Sequence, residues 1–249
     1  MTTCSIAADA EGRWKIDGCD PAQAQAFLTR HQPWRMEIDF GGDLNSKNYQ
    51  KYEPFNGFPL RKLNKILAAI DTQGGLPANP RALDIGFNNG YNALYLAQAL
   101  GAHVTGIDVA AKHKVVATEV AQMTGLAPEF LLQSAEEFER PDTYDLVLHL
   151  GTLYHLPNPV LSMERAIRSL KKGGWLALET IRYLADPLCA RWIYGFNGDT
   201  SNYWSLGETV LTELFTTHGM AAPELLFSAK VPVLAQIESD RAIYIARKL

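Results

Sequence analysis

Between residues 81 and 180, short apolar runs alternate with longer amphipathic segments, and this rhythm constrains the fold more than any other feature. Residues 81–86, 103–108, 129–133, 144–150 and 175–180 read as strands. Residues 90–100, 112–124 and 159–170 read as helices. Gly125 ends the second helix, and Lys172-Gly173-Gly174 makes the turn into the last strand. Strand–helix alternation implies parallel pairing through right-handed crossovers. The run 144–150 is apolar throughout, as in a strand covered on both faces. A further helix is expected over 207–218, then strands over 224–230 and 241–247. No long crossover separates those two runs, so antiparallel pairing is expected, giving a mixed sheet with an edge hairpin.

The flanks are less regular. Residues 1–78 place Trp34, Tyr49, Tyr52, Phe55 and Phe58 among polar neighbours. A helix is expected over 60–70, with Leu60, Leu63, Ile66, Leu67 and Ile70 on one face, before the break at Gly74-Gly75-Leu76-Pro77. This segment is expected to cap or close a pocket, and residues 79–249 to form the main domain. The 249 residues suffice for one large core, and no linker divides them. The formal net charge of -4 disfavours a long polyanionic partner. Cys4, Cys19 and Cys189 show no CxxC or metal-like spacing and are expected to be free thiols. No secretory signal and no apolar run of about 20 residues is visible, so a cytoplasmic location without membrane contact is expected. There is no zinc spacing, no P-loop and no G-x-S-x-G elbow, and no metal is expected.

The chemistry is expected at Leu83-Asp84-Ile85-Gly86-Phe87-Asn88-Asn89-Gly90, where a strand passes into a helix. Gly86 permits a tight turn close to a ligand. The amide N–H groups at the helix start favour polar or negative ligand atoms. About 18 residues after Gly90, Asp108 ends the second strand, where a carboxylate can accept ribose hydroxyls. The loop lacks the G-x-G-x-x-G wording favoured by dinucleotide sites.

These residues resemble the class I S-adenosylmethionine-dependent methyltransferases, over about residues 80–180. The resemblance implies a doubly wound, mostly parallel, seven-stranded Rossmann-like sheet. Asp84, Gly86 and Gly90 match the loop that holds the methionine part of the cofactor, and Phe87 and Asn88 fall within it as expected cofactor-binding residues. Asp108 and Val109 match the ribose-binding acid and its neighbour. Ser134, Ala135 and Glu136 fall at the adenine contact, and His149, Leu150 and Gly151 at the fourth-strand motif. Asn88 stands where that family usually has a second glycine, and Ser134 where it usually has an aspartate. The run LYHLPNPV, with Asn202-Tyr203-Trp204-Ser205, resembles more narrowly a branch of bacterial tRNA wobble-uridine modifying enzymes. Those use a carboxylated relative of the cofactor, for which Arg61, Lys62, Arg182 and Arg191 would be the available cations.

Methyl transfer is a displacement that needs alignment and sometimes proton removal. His155, just past the fourth strand, is the first candidate for that role, with Tyr154 beside it. The aromatic stretch at 182–205, with Tyr183, Trp192, Tyr194, Phe196, Tyr203 and Trp204, could wall a pocket for a flat or apolar acceptor or form a small satellite core. The expected activity is methyl transfer from S-adenosylmethionine, yielding S-adenosylhomocysteine, to oxygen or nitrogen of a small molecule. A tRNA-modifying enzyme, a nicotinamide-dependent oxidoreductase and a non-catalytic cofactor-binding subunit are the alternatives.

Overall fold

The computed structural model describes residues 4–8, 14–32, 34, 38–46 and 58–249. The chain opens with a hairpin of β1 (Ser5–Ala8) and β2 (Trp14–Asp17), followed by α1 (Pro21–Arg30). The helix start is coded by Asp20-Pro21: the Asp20 carboxylate accepts the Gln23 N–H at 2.9 Å, and proline fits the first helical position. Reading residues 1–78 as irregular apart from one helix misses both elements. Cys4 and Cys19 are joined in a disulfide, with Cα atoms 5.0 Å apart, which corrects the expectation of three free thiols. The hairpin register, from Ser5↔Asp17 to Ala8↔Trp14, brings the two cysteines together. That proximity is not legible in a spacing of 15 residues. Cys189 is free and exposed.

The alternating region follows as expected: α2 (Phe58–Thr72), β3 (Arg81–Ile85), α3 (Tyr91–Leu100), β4 (His103–Asp108), α4 (Ala111–Thr124), β5 (Glu129–Leu132) and β6 (Tyr144–Leu150). A 3-10 turn at Leu153–His155 leads to α5 (Pro159–Ser169) and β7 (Leu170–Tyr183). The remainder comprises β8 (Ala190–Trp192), β9 (Trp204–Gly207), α6 (Glu208–Thr216), β10 (Glu224–Ala229), α7 (Pro232–Ala235) and β11 (Ser239–Arg247). Gly101 and Gly125 close α3 and α4 in the left-handed conformation that lets their N–H groups reach the last carbonyls.

Seven strands run in the order β10-β11-β7-β6-β3-β4-β5, with β9 joined to β7 and β8 to β9. The pairs among β3, β4, β5, β6 and β7 are parallel, while β10–β11 and β11–β7 are antiparallel. The edge hairpin is therefore present. β7 starts earlier than expected: pairing jumps from Tyr144↔Leu170 to Leu146↔Trp175, so the glycine turn is a bulge inside the strand.

The sheet is covered on both faces. Leu63, Ile66, Leu94 and Val120 pack on one side against Ala82, Val104, Leu146 and Leu148. Met163, Ile167, Leu211 and Phe215 pack on the other against Leu83, Ile107, Val147 and Leu178. Alternate residues of one strand serve opposite layers, as the two-residue period requires. The first layer also takes in Phe27, Leu28, Trp34 and Ile38, so the described parts of the N-terminal segment share the main core. Tyr49, Tyr52 and Phe55, expected as parts of a lid, lie outside the described residues.

Candidate functional site

β3 has β4 on one side and β6 on the other, and chain order reverses there. The crevice beyond the carboxyl ends of the strands at such a reversal is where ligands bind in open α/β sheets. The loop from β3 to α3 sits at that point. Gly86 (φ +75°), Asn88 (φ +50°) and Gly90 (φ +80°) are all left-handed, which winds the backbone tightly between strand and helix. Asn88 tolerates this conformation as asparagine can. A Cβ on Gly90 would lie 2.8 Å from the Cβ of Ala117, so glycine there sets how closely α3 begins against α4. A Cβ on Gly86 would lie 2.2 Å from Thr152 Oγ1. The space Gly86 leaves is therefore filled by Thr152, whose hydroxyl donates to the Ile85 carbonyl at 3.1 Å and joins the loops after β3 and β6. Phe87 turns inward against Phe130, with ring centroids 4.7 Å apart.

Asp84 is buried beneath this loop. Its Oδ1 lies 3.5 Å from Asn92 Nδ2, and its Oδ2 has no hydrogen-bond partner among the described residues. Burial pushes its carboxyl up to about 7, against the lowering effect of the hydrogen bonds from Asn92 and the Ala93 N–H. Asp108, at the end of β4, is more fully held. Its Oδ1 accepts the Ala110 N–H at 2.8 Å, and its Oδ2 accepts the Asn88 N–H at 3.0 Å and lies 3.0 Å from His113 Nδ1. Burial acts to raise its pKa, but the contacts with His113, Ala110 and Asn88 outweigh it and hold the carboxyl below its usual value. Val109, next in sequence, is 75% exposed, an apolar surface at the crevice rim. Asn88 and His113 also line a cleft with His31 and Trp34. His113 carries no sequence motif. Its signal is position: five residues beyond Asp108, in the first turn of α4, where its ring can reach back to the carboxylate.

The other expected site residues divide between the crevice and the core. Ser134 is occupied locally, its hydroxyl accepting the Glu136 N–H at 3.1 Å. Ala135 is buried, and Glu136 accepts the Asn158 N–H at 2.6 Å. His149 is fully buried and turns toward α5, with Nε2 2.9 Å from Ser162 Oγ. Its Nδ1 has no partner among the described residues, and burial pushes its pKa down to about 3, so the ring is neutral. Leu150 belongs to the layer that packs on α2 and α3.

Beyond β6, Gly151 (φ +75°) lies beside a buried ionic group. Glu179 of β7 is bound by Lys62 of α2 and by Arg241 of β11, whose Nε and Nη2 lie 3.0 and 2.6 Å from Oε1. Burial acts against its charge, yet the two cations hold its pKa down at about 2. Arg241 also donates to the Tyr154 hydroxyl at 2.7 Å. Burial raises the Tyr154 phenol despite that cation. This grouping draws on residues 62, 154, 179 and 241, a separation that leaves no local pattern. Of the other named cations, Arg182 is bound by Asp240 and Glu208, and Arg191 donates to the Ile237 carbonyl at 3.0 Å.

His155 Nδ1 lies 2.9 Å from the Ser201 carbonyl, and Ser201 Oγ donates to Asp199 at 2.6 Å. A carbonyl only accepts, so His155 donates from Nδ1 to it. The aromatic stretch lies beside this turn: the Tyr203 N–H donates to the Tyr154 carbonyl at 2.8 Å. Trp192 contacts Trp204, Tyr203 and Tyr194, at 4.8, 5.4 and 6.0 Å between centroids. Trp192 and Tyr194 are exposed, whereas Phe196 packs on a satellite cluster of Tyr154, Ile181, Ile193, Leu234 and Ile237.

Comparison with known proteins agrees with this geometry. Residues 83–178 match the family model described as a methyltransferase domain. A ubiquinone biosynthesis O-methyltransferase of Aromatoleum aromaticum is 35% identical over 183 residues, covering 70% of each chain. A like-named protein of Thiobacillus denitrificans is 32% identical over 134 residues, covering 52% of this chain and 57% of its own. The chain thus spans little more than half the length of several curated relatives it matches. Among solved structures, the Burkholderia thailandensis 1,6-didemethyltoxoflavin-N1-methyltransferase, with bound 1,6-didemethyltoxoflavin and S-adenosylhomocysteine, superposes with a TM-score of 0.56 at 21% identity. It covers 73% of this chain and 75% of its own. The chain belongs to the S-adenosylmethionine-dependent methyltransferases. S-adenosylmethionine is the cofactor of that family, and the crevice fits it: Asp84 Oδ2 is a buried acceptor without a partner among the described residues, and the left-handed loop crosses the carboxyl end of β3.

Gly86→Ala should lower stability by about 1–3 kcal/mol, because a left-handed backbone and the Thr152 contact both oppose a side chain. Urea denaturation checks this. Pairing Gly86→Ala with Thr152→Ala should recover part of the loss if the contact, and not the backbone alone, is responsible.

Proposed function

We propose that the chain transfers the methyl group of S-adenosylmethionine to an oxygen or nitrogen atom of a small, flat acceptor. The observation that carries this reading is the alignment of Asp84, the left-handed loop through Gly86 and Gly90, and Asp108 along the carboxyl ends of β3 and β4. Asp84 would face the ammonium group of the cofactor's methionine portion, and Asp108 its ribose. Val109 and Ala135 would flank the adenine. The names of the relatives, O-methyltransferases of ubiquinone biosynthesis and a toxoflavin-precursor N-methyltransferase, support a ring-bearing acceptor. The rings of Trp192, Tyr203 and Trp204 beside the Tyr154 turn support the same choice.

His155 is assigned as proton acceptor or acceptor-positioning group, because it lies just past the carboxyl end of β6, on the side where sheet ligands bind. Tyr154, with a raised pKa and a hydroxyl engaged by Arg241, is assigned to positioning. The acidic charge balance supports a small molecule over nucleic acid. Among the described residues no helix is long and apolar enough to cross a membrane. Use of S-adenosylmethionine, a metabolite of the cell interior, supports a cytoplasmic location.

Calorimetry with S-adenosylhomocysteine tests the cofactor site. Asp84 must be ionised to face an ammonium group, but in the free protein it is protonated below about pH 7. Affinity should therefore be constant well above pH 7 and fall about tenfold per unit below it. Binding that is flat between pH 5.5 and 8.5 would remove Asp84 from this role. Once an acceptor is known, His155→Ala should lower kcat by roughly 10²–10⁴-fold with little change in cofactor affinity if the imidazole takes a proton. A loss confined to KM would make it a positioning group.

A further inference from the structure

The hydrogen-bond count at Asp108 limits what the cofactor site can read. An ionised carboxylate offers about four in-plane lone pairs, two on each oxygen. Oδ2 already accepts from the Asn88 N–H and lies within hydrogen-bond distance of His113 Nδ1, each at 3.0 Å. Oδ1 accepts from the Ala110 N–H at 2.8 Å and keeps one lone pair. The two backbone donors are fixed by the loop after β3 and by the entry to α4. His113 is the one side chain among the three donors, so it decides whether Oδ2 has room for a ligand. Only 9% of the Asp108 side chain is exposed, which agrees with a single remaining opening.

We infer that His113 is a specificity-determining residue of the cofactor site: by donating from Nδ1 to Oδ2, it leaves Asp108 able to accept one ribose hydroxyl, at Oδ1, instead of two. With Nδ1 as donor, neutral His113 carries its acceptor on Nε2, on the opposite side of the ring. The second ribose hydroxyl then has no in-plane site on this carboxylate. A nucleoside lacking that hydroxyl should bind almost as well as the complete one, whereas loss of the other should be costly. Removing the imidazole should open Oδ2 and make both hydroxyls count.

The inference rests on the reading of Asp108 as the ribose acceptor, and calorimetry on the full chain separates the two. The ligands are S-adenosylhomocysteine and its 2′-deoxy and 3′-deoxy analogues. In the unmodified protein, one deoxy analogue should bind roughly ten- to a hundredfold more weakly, the span expected for losing one hydrogen bond to a charged group. The other should stay within about threefold, well below the loss of such a bond. His113→Ala should make both analogues weak relative to S-adenosylhomocysteine. His113→Asn, which can keep an N–H donor near the position of Nδ1, should restore the unequal pattern. Equal losses for the two analogues in the unmodified protein would overturn the inference without recourse to any variant. So would an unequal pattern that survives His113→Ala. If Asp108→Ala leaves the affinity for S-adenosylhomocysteine unchanged, the ribose assignment itself fails, and this inference with it.

Discussion

A single carboxylate at the end of β4 ties the crevice together. Asp108 receives the Asn88 N–H from the loop after β3, the Ala110 N–H from the start of α4, and His113 from the first turn of that helix. The loop after β3 and the entry to α4 are thereby held around one acceptor group. In the loop, Asp108 satisfies the Asn88 N–H, while the Gly86 and Phe87 N–H groups go to the Ile107 carbonyl and the Gly90 N–H to the Phe87 carbonyl. Ionisation of Asp108 is favoured because these donors outweigh its burial. Asp84, one strand away, also accepts from Asn92 and the Ala93 N–H, but its complete burial outweighs them and pushes it toward neutrality. Two carboxylates in one crevice therefore differ in charge state before any ligand arrives. The charged one is suited to hydroxyls and the reluctant one to a cation.

A second, buried ionic group lies on the far side of β6. Glu179, Lys62 and Arg241 occupy a region where lone charges would be costly, and each cation compensates the same carboxylate. Arg241 extends the group to the Tyr154 hydroxyl. The 3-10 turn carrying Tyr154 and His155 is thus anchored on one side by β11 and on the other by the Ser201 carbonyl. That double anchorage fixes a short turn that lies on a loop.

Much of the sheet was legible because its signals are local. His103–Asp108 and Tyr144–Leu150 are runs bounded by turn residues, and Gly125 marks the end of α4 by its left-handed conformation. Asp84, Gly86, Gly90 and Asp108 come together because strand ends in a parallel sheet must. What sequence reading missed depends on distance along the chain. Arg241 meets Tyr154 across 87 residues, and Cys4 meets Cys19 only through a hairpin whose strands have no apolar alternation strong enough to read. Gly86 was legible as a residue required at its position, but for an incomplete reason: Thr152, and not ligand alone, fills the space beside it. His149 shows the converse. Its place in the fourth-strand motif directs attention to the crevice, but strand alternation turns its side chain to Ser162.

The central claim is that the cofactor lies across the loop after β3 and against the end of β4. Hydrogen–deuterium exchange of the full chain, with and without saturating S-adenosylhomocysteine, tests it most directly. The amides of residues 86–92 and 108–113 should become protected together, as ligand binding suppresses local opening of both segments. Residues 224–229 at the far edge of the sheet should be unaffected. Protection at that edge, or none at residues 86–92 despite binding, would contradict the account.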